Sequence, residues 1–116
     1  MKQGEIWYAD LSPVKGSEQQ GYRPVAIISG NLLNTYLPIV IACPLTTQIK
    51  NYKGNLIMDP TKENGLKKKS AVDCFQIRAI SHRRFSEQIG RITKYELNSI
   101  RKSISLILDI DPEHCE

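Results

Sequence analysis

Residues 39 to 48 read IVIACPLTTQ, and Ile39 to Leu45 within them is the most strand-like segment of the chain. Ile39, Val40 and Ile41 are β-branched, so they crowd a helix and fit a pleated, buried surface. The apolar run is too short for a core helix and stops at Thr46, Thr47 and Gln48, three polar residues at a strand end. Upstream, Val25 to Ser29 is a second short β-branched run ended by Gly30. Before it, Glu5 to Leu11 alternates Ile6, Tyr8 and Asp10 against Trp7, Ala9 and Leu11. Both sets are largely apolar, which predicts a strand packed on two sides. Asn31 to Tyr36 reads as one helical turn, capped by Asn31 and stopped by Pro38. Downstream, Asn55 to Met58 is a strand after Gly54, and Asp59 to Lys69 a polar loop carrying Pro60 and Gly65. Ser70 to Ala79 reads as one strand, and Glu87 to Ile92 as a weaker one broken by Gly90.

The convincing helix comes last. Thr93 and Glu96 make a capping box, and Leu97, Ile100, Ile104, Ile107 and Leu108 recur at three- and four-residue spacing, with Lys94, Arg101 and Lys102 on the other side. Short strands, short turns and one closing helix predict a mainly β fold with α: a strongly bent antiparallel sheet or small barrel covered by a C-terminal amphipathic helix.

Composition bounds the function. The chain has 116 residues, 24% charged and 41% hydrophobic, which fits one folded domain over residues 1 to 110, with 111 to 116 a frayed acidic tail. No apolar run approaches membrane length, and the start MKQGEIWYAD lacks the core of a signal peptide, so a cytoplasmic protein away from membranes is expected. Cys43, Cys74 and Cys115 are odd in number and widely spaced, which reads as free thiols and offers no metal site. Sixteen basic residues stand against twelve acidic ones, but Asp109, Asp111, Glu113 and Glu116 fall in the last eight positions. Residues 1 to 108 therefore hold sixteen basic and eight acidic residues, a balance of +8 that favours a polyanion as partner, nucleic acid before membrane.

The loop from Ser12 to Val25, SPVKGSEQQGYRPV, has the contents of a site. Gly16 and Gly21 supply turns that other residues resist, and Pro24 pushes Arg23 toward an extended backbone. Glu18 thus lies five residues from Arg23 in a loop with hinges at defined places. An ordinary exposed connection has the same ingredients.

GEIWYADLSPVKGSEQQGYRPVAII, then CPLTTQIK, then SAVDCFQIRAI and a terminal amphipathic helix, resembles the MazF/PemK family of toxin endoribonucleases from Gly4 to about Ile110. The specific part is the GSEQ and GYRP pair followed in order by PLTTQ. The resemblance implies an SH3-like barrel with a helix and a homodimer. It also implies cleavage of single-stranded RNA at short sequences with no metal or other cofactor, and an antitoxin partner whose extended acidic segment blocks the RNA groove. Carried over residue by residue, it implies Arg23 and Thr46 as catalytic and Glu18 as an acidic position supporting the site. The family's further Arg and Asp of the fifth-strand region have no counterpart in Asp73, Cys74, Phe75 and Gln76. Gln20, Thr47, Gln48, Lys50, Gln76 and Arg78 are the candidate RNA contacts.

The residue types suit the chemistry on their own terms. Cutting RNA without a metal requires a 2′-hydroxyl to attack the adjacent phosphorus, leaving a cyclic phosphate. One group must take a proton, one must stabilise the negative phosphorane, and one should protonate the leaving oxygen. Arg23 suits the second task, because a guanidinium matches phosphate oxygens with a planar fork of donors. Thr46 can add one more hydrogen bond to the same oxygens. Glu18 is the base by elimination, although a carboxylate titrating near about 4.3 is a weak one. The resemblance also implies Arg23 as the proton-transferring group; charge stabilisation is the role its chemistry suits better.

Bland readings stand beside each choice. Thr46 and Thr47 could be strand-end residues bonding the backbone, and Lys67 to Lys69 and the run His82, Arg83, Arg84 read first as solvated basic loops. A competing class is a barrel that binds nucleic acid without cutting it, or a gyrase-poisoning toxin of the same fold. A mere binder would not need the pairing of Arg23 with Thr46.

Overall fold

The computed structural model describes residues 1–12, 21–49 and 55–110. Among them the chain runs β1 (Glu5–Asp10), β2 (Tyr22–Ile27), α1 (Asn31–Tyr36), β3 (Ile39–Thr46), β4 (Leu56–Met58), β5 (Ser70–Val72), β6 (Arg78–Ser81), β7 (Phe85–Arg91) and α2 (Lys94–Ile107). The strands form one antiparallel sheet in the order β4-β5-β3-β2-β1-β7, with β6 paired to β3 beside β5. The sheet is strongly bent and does not close, so the expected bent sheet is present and the barrel is incomplete.

The bend is centred on β3. Its first half lies between β2 and β6, with Ala42 opposite both Ile27 and Arg78. Its end turns to β5, where Leu45 faces Val72 and Thr46 faces Ala71. The last β2–β3 pair is Val25 with Pro44, and Pro24 comes next. Neither proline has an N–H to give to a ladder, so the two strands part at this point. A second source of curvature lies in the β1–β7 ladder, where the register shifts between Ile6 and Trp7 and again between Tyr8 and Ala9.

Alternation along the central strands feeds two apolar clusters. Ile6, Ala26, Cys43 and Leu45 point to the larger one, with Met58, Val72 and Ile100. Leu97, Ile104 and Ile107 of α2 pack against it, so this helix covers that face. Ala9, Leu11, Val25, Ala42 and Ile80 make the smaller cluster on the opposite face, with Phe85 beside it. Trp7 meets Phe85 edge to face at 6.2 Å between ring centres. The prediction that β1 packs on two sides therefore holds. Cys43 and Cys74 are buried free thiols of the larger cluster. A hydrogen bond to Cys74, together with burial, pushes the Cys43 thiol well up. Cys115 and the tail 111–116 lie outside the described residues.

The helix ends follow local chemistry. Thr93 Oγ1 accepts from the Glu96 amide at 3.0 Å and Glu96 Oε1 accepts from the Thr93 amide at 2.8 Å, the reciprocal box expected. At the other end Asp109 takes φ 53°, its N–H bonds Leu106 and the Ile110 N–H reaches back to Ser105, a Schellman stop made without glycine. Leu108 consequently lies past the last turn and is exposed, where the periodicity had placed it in the core. No helix among the described residues is long and apolar enough to cross a membrane.

Three other expectations change. Ser70 to Ala79 is not one strand: β5 stops at Val72, residues Cys74–Gln76 form a 3-10 turn, and β6 begins at Arg78. The Asp73 amide bonds the Pro44 carbonyl at 2.8 Å, which holds the chain to β3 while the turn pushes outward. Gly90 does not break a strand. It lies within β7, where a Cβ would come 2.3 Å from the Asn64 carbonyl carbon, so the glycine serves a close backbone approach. Asn31 is the first residue of α1 and not its cap; Gly30 is the cap, and Asn31 Oδ1 accepts from the Gln3 amide at 2.8 Å.

Candidate active site

Arg23 lies one residue before Pro24 in β2, which starts at Tyr22, three residues earlier than its β-branched run suggests. Gly21 leads into it with φ +79°, a conformation that other residues resist. The Gly21 carbonyl accepts from Leu11 N–H at 3.0 Å, and its N–H donates to Ser12 Oγ at 3.2 Å. The β1–β2 ladder begins directly beyond, with Asp10 opposite Tyr22 and Ala9 opposite Arg23. Arg23 is half-buried and Tyr22 exposed.

Thr46 is the last residue of β3 and is buried. The β2–β3 ladder ends with Val25 paired to Pro44. Arg23 and Thr46 each lie two residues beyond that last pair, one on each strand, on the face that carries Val25 and Ala42. Thr46 Oγ1 accepts from the Gln48 amide at 3.1 Å, turning the chain at the strand end. That bond occupies an oxygen lone pair, and the hydroxyl proton stays available for donation. The backbone role expected of a strand-end threonine is therefore present and compatible with a second one.

Other candidates distribute around this strand end. Thr47 and Gln48 are exposed directly after Thr46. Gln76 is half-buried in the 3-10 turn that leaves β3 at Pro44, its N–H bonded to the Asp73 carbonyl at 3.1 Å. Arg78 faces Ala42, four residues back along β3 from Thr46, about 13 Å at strand rise. Glu18, Gln20 and Lys50 lie outside the described residues, as does the Gly16 hinge. Lys67, Lys68 and Lys69 are exposed, with a 4.0 Å contact from Lys69 to Asp59 between two solvated side chains, so the bland reading of that loop fits. Among the described residues no group of three His, Cys, Asp or Glu could hold a metal ion.

Glu5, at the start of β1, was not singled out by sequence. Its Oε1 accepts from the Trp7 indole at 2.9 Å and from the Lys2 amide at 2.9 Å. Burial pushes this carboxyl up, but those two bonds, the N-terminal ammonium and Arg91 outweigh it and hold Glu5 below the ordinary carboxylate range. Arg84 was also passed over, within a basic run, and it reaches the end of β1. Nothing in the local pattern separates it from Arg83.

The model of the family described as PemK-like, MazF-like toxin of type II toxin-antitoxin system matches residues 2–108. The chain is 33% identical over 111 residues to the endoribonuclease MazF of Staphylococcus saprophyticus, covering 95% of this chain and 92% of that one. It is 31% identical over 109 residues to the endoribonuclease EndoA of Bacillus subtilis, covering 93% and 94%. Among solved structures, MazF from Deinococcus radiodurans matches with a TM-score of 0.83 at 24% identity, over 95% of this chain and 97% of that one. An endoribonuclease from a mycobacterial species in complex with its cognate antitoxin matches with a TM-score of 0.79 at 21% identity, over 96% and 97%. At these identities the structural matches speak to the shared fold.

Proposed function

The chain belongs to the PemK-like, MazF-like toxin family of type II toxin-antitoxin systems, and from that premise we propose that it is a sequence-specific endoribonuclease cutting single-stranded RNA. The observation that supports this most is that the β2–β3 ladder ends at Val25 and Pro44, with Arg23 two residues beyond that pair on one strand and Thr46 two residues beyond it on the other. Relatives about one-third identical over nearly the whole chain are named endoribonucleases.

In the proposed mechanism the 2′-hydroxyl attacks the neighbouring phosphorus and the 5′ oxygen leaves, giving a cyclic phosphate. Arg23 stabilises the phosphorane oxygens, and Thr46 donates its hydroxyl proton to one of them. Glu18 is the candidate base, and Gln20, Thr47, Gln48, Lys50, Gln76 and Arg78 are candidate RNA contacts. The chemistry asks for no metal or other cofactor. We assign the activity to a single domain spanning residues 1 to 110, acting in the cytoplasm as a homodimer. The balance of +8 over residues 1 to 108 suits an RNA backbone, and it suits equally the acidic segment of a cognate antitoxin competing for the same surface. Antitoxin complexes of fold relatives support that partner.

The test is incubation of purified protein with mixed single-stranded RNA in chelator. Discrete cuts bearing cyclic phosphate ends are expected. Arg23→Ala is expected to lower the rate about 100- to 1,000-fold, with Thr46→Ala also impaired and RNA binding retained in both. Intact RNA bound tightly by the wild type would instead identify a binding module, and stalled gyrase a different toxin of the same fold.

A further inference from the structure

The basic run after β6 divides on folding. His82, Arg83 and Arg84 form one 3-10 turn in which Arg83 is exposed and Arg84 half-buried. Nη1 of Arg84 donates to the Asp10 carbonyl at 3.2 Å and to the Ser12 carbonyl, 74 and 72 residues upstream. A terminal guanidinium nitrogen carries two N–H groups, so this pair of acceptors uses both. Between those acceptors, Leu11 N–H bonds the Gly21 carbonyl, and Ser12 Oγ receives the Gly21 N–H. The end of β1, the start of β2 and the turn before β7 are thus tied at one point.

We propose that Arg84 is a positioning residue for RNA cleavage: by clamping the Asp10 and Ser12 carbonyls it fixes the end of β1, and through the β1–β2 ladder the backbone of Arg23. This rests on the catalytic reading of Arg23. The β2–β3 ladder stops at Val25, so the backbone at Arg23 takes its register from β1, where Ala9 is its partner. Ala9 in turn is one residue from the clamped Asp10. A small displacement at this point moves the guanidinium relative to Thr46 without touching either side chain, and misplacement by about 1 Å can lower a rate about 100-fold. Nη1 is thus engaged by two backbone carbonyls, and the role proposed for Arg84 is on the strand end.

Two measurements on full-length Arg84→Met and Arg84→Lys test this. Hydrogen exchange should speed up at Leu11 and Gly21 in Arg84→Met, with Ile6 and Ala26 protected as in wild type. Single-turnover cleavage should fall by about 100-fold in Arg84→Met with KM within about twofold, and Arg84→Lys should recover part of the loss through one of the two carbonyls. Wild-type exchange at Leu11 and Gly21, or a defect confined to KM, overturns the proposal. Should Arg84→Met fail to fold, Arg84→Lys with intermediate exchange and rate carries the same decision. Should wild-type protein cut no RNA, the nuclease reading fails alone, while the exchange arm still decides whether the clamp exists.

Discussion

The two faces of β3 do different work with side chains one residue apart. Cys43 and Leu45 point into the larger cluster, roofed by α2 and closed at Ile100. Ala42 points the other way, into the smaller cluster, and Pro44 and Thr46 follow on that face to the strand end. Both faces bury whole side chains, Ile6 and Ile100 on the helix-covered one and Leu11 and Ile80 on the other, and the helix-covered cluster is the larger. The other face holds its strands with fewer apolar side chains, and past its end Thr46 is buried while Thr47 and Gln48 reach solvent. Sites commonly sit where a rigid sheet ends, because only there can a side chain be both positioned from behind and open in front.

Substitutions on the two faces should separate these roles. The largest effect on stability is expected for Ile100→Ala, which opens a cavity in the roofed cluster: about 2–5 kcal/mol lost in urea unfolding, with cleavage per folded molecule within twofold of wild type. Val25→Ala, buried in the smaller cluster and two residues from Arg23, should be milder, about 1–2 kcal/mol, yet should also slow cleavage. Equal stability losses with equal cleavage in both variants would dissolve the distinction between the faces.

The smallest effect belongs to Glu5, away from both margins of the comparison. Its folded-state carboxyl is held below the ordinary value of 4.5, so its stabilisation is present above that value and is lost as pH falls through the lower folded-state one. Glu5→Gln should lower stability at neutral pH by about 1 kcal/mol and flatten the acid side of the stability–pH curve below about pH 4.5. Parallel curves for the two proteins, measured by denaturant titration from pH 3 to 7, would show that the carboxylate carries no such linkage.

How much of this was readable beforehand depended on the range of the interaction. Thr93 with Glu96, the spacing of Ile100, Ile104 and Ile107, and the β-branched run at Ile39 to Ile41 declare their elements, because capping, amphipathic period and rotamer stiffness act within four residues. Arg23 and Thr46 were singled out by the resemblance to the MazF/PemK family, carried by GYRP and PLTTQ. Facts set by distant chain segments were not legible. Ser70 to Ala79 divides into β5, paired with Leu45 and Thr46, and β6, paired with Ile39 to Ala42, with a 3-10 turn between them. Gly90 has its reason in the Asn64 backbone, and Arg84 differs from Arg83 only through carbonyls more than seventy residues upstream. The sequence by itself determined the central strand β3, the amphipathic helix α2 and the mainly β class of the fold. Tertiary structure alone decided that the β2–β3 ladder ends at Val25 and Pro44, two residues short of Arg23 and of Thr46, since register is a property of two strands and is written in neither.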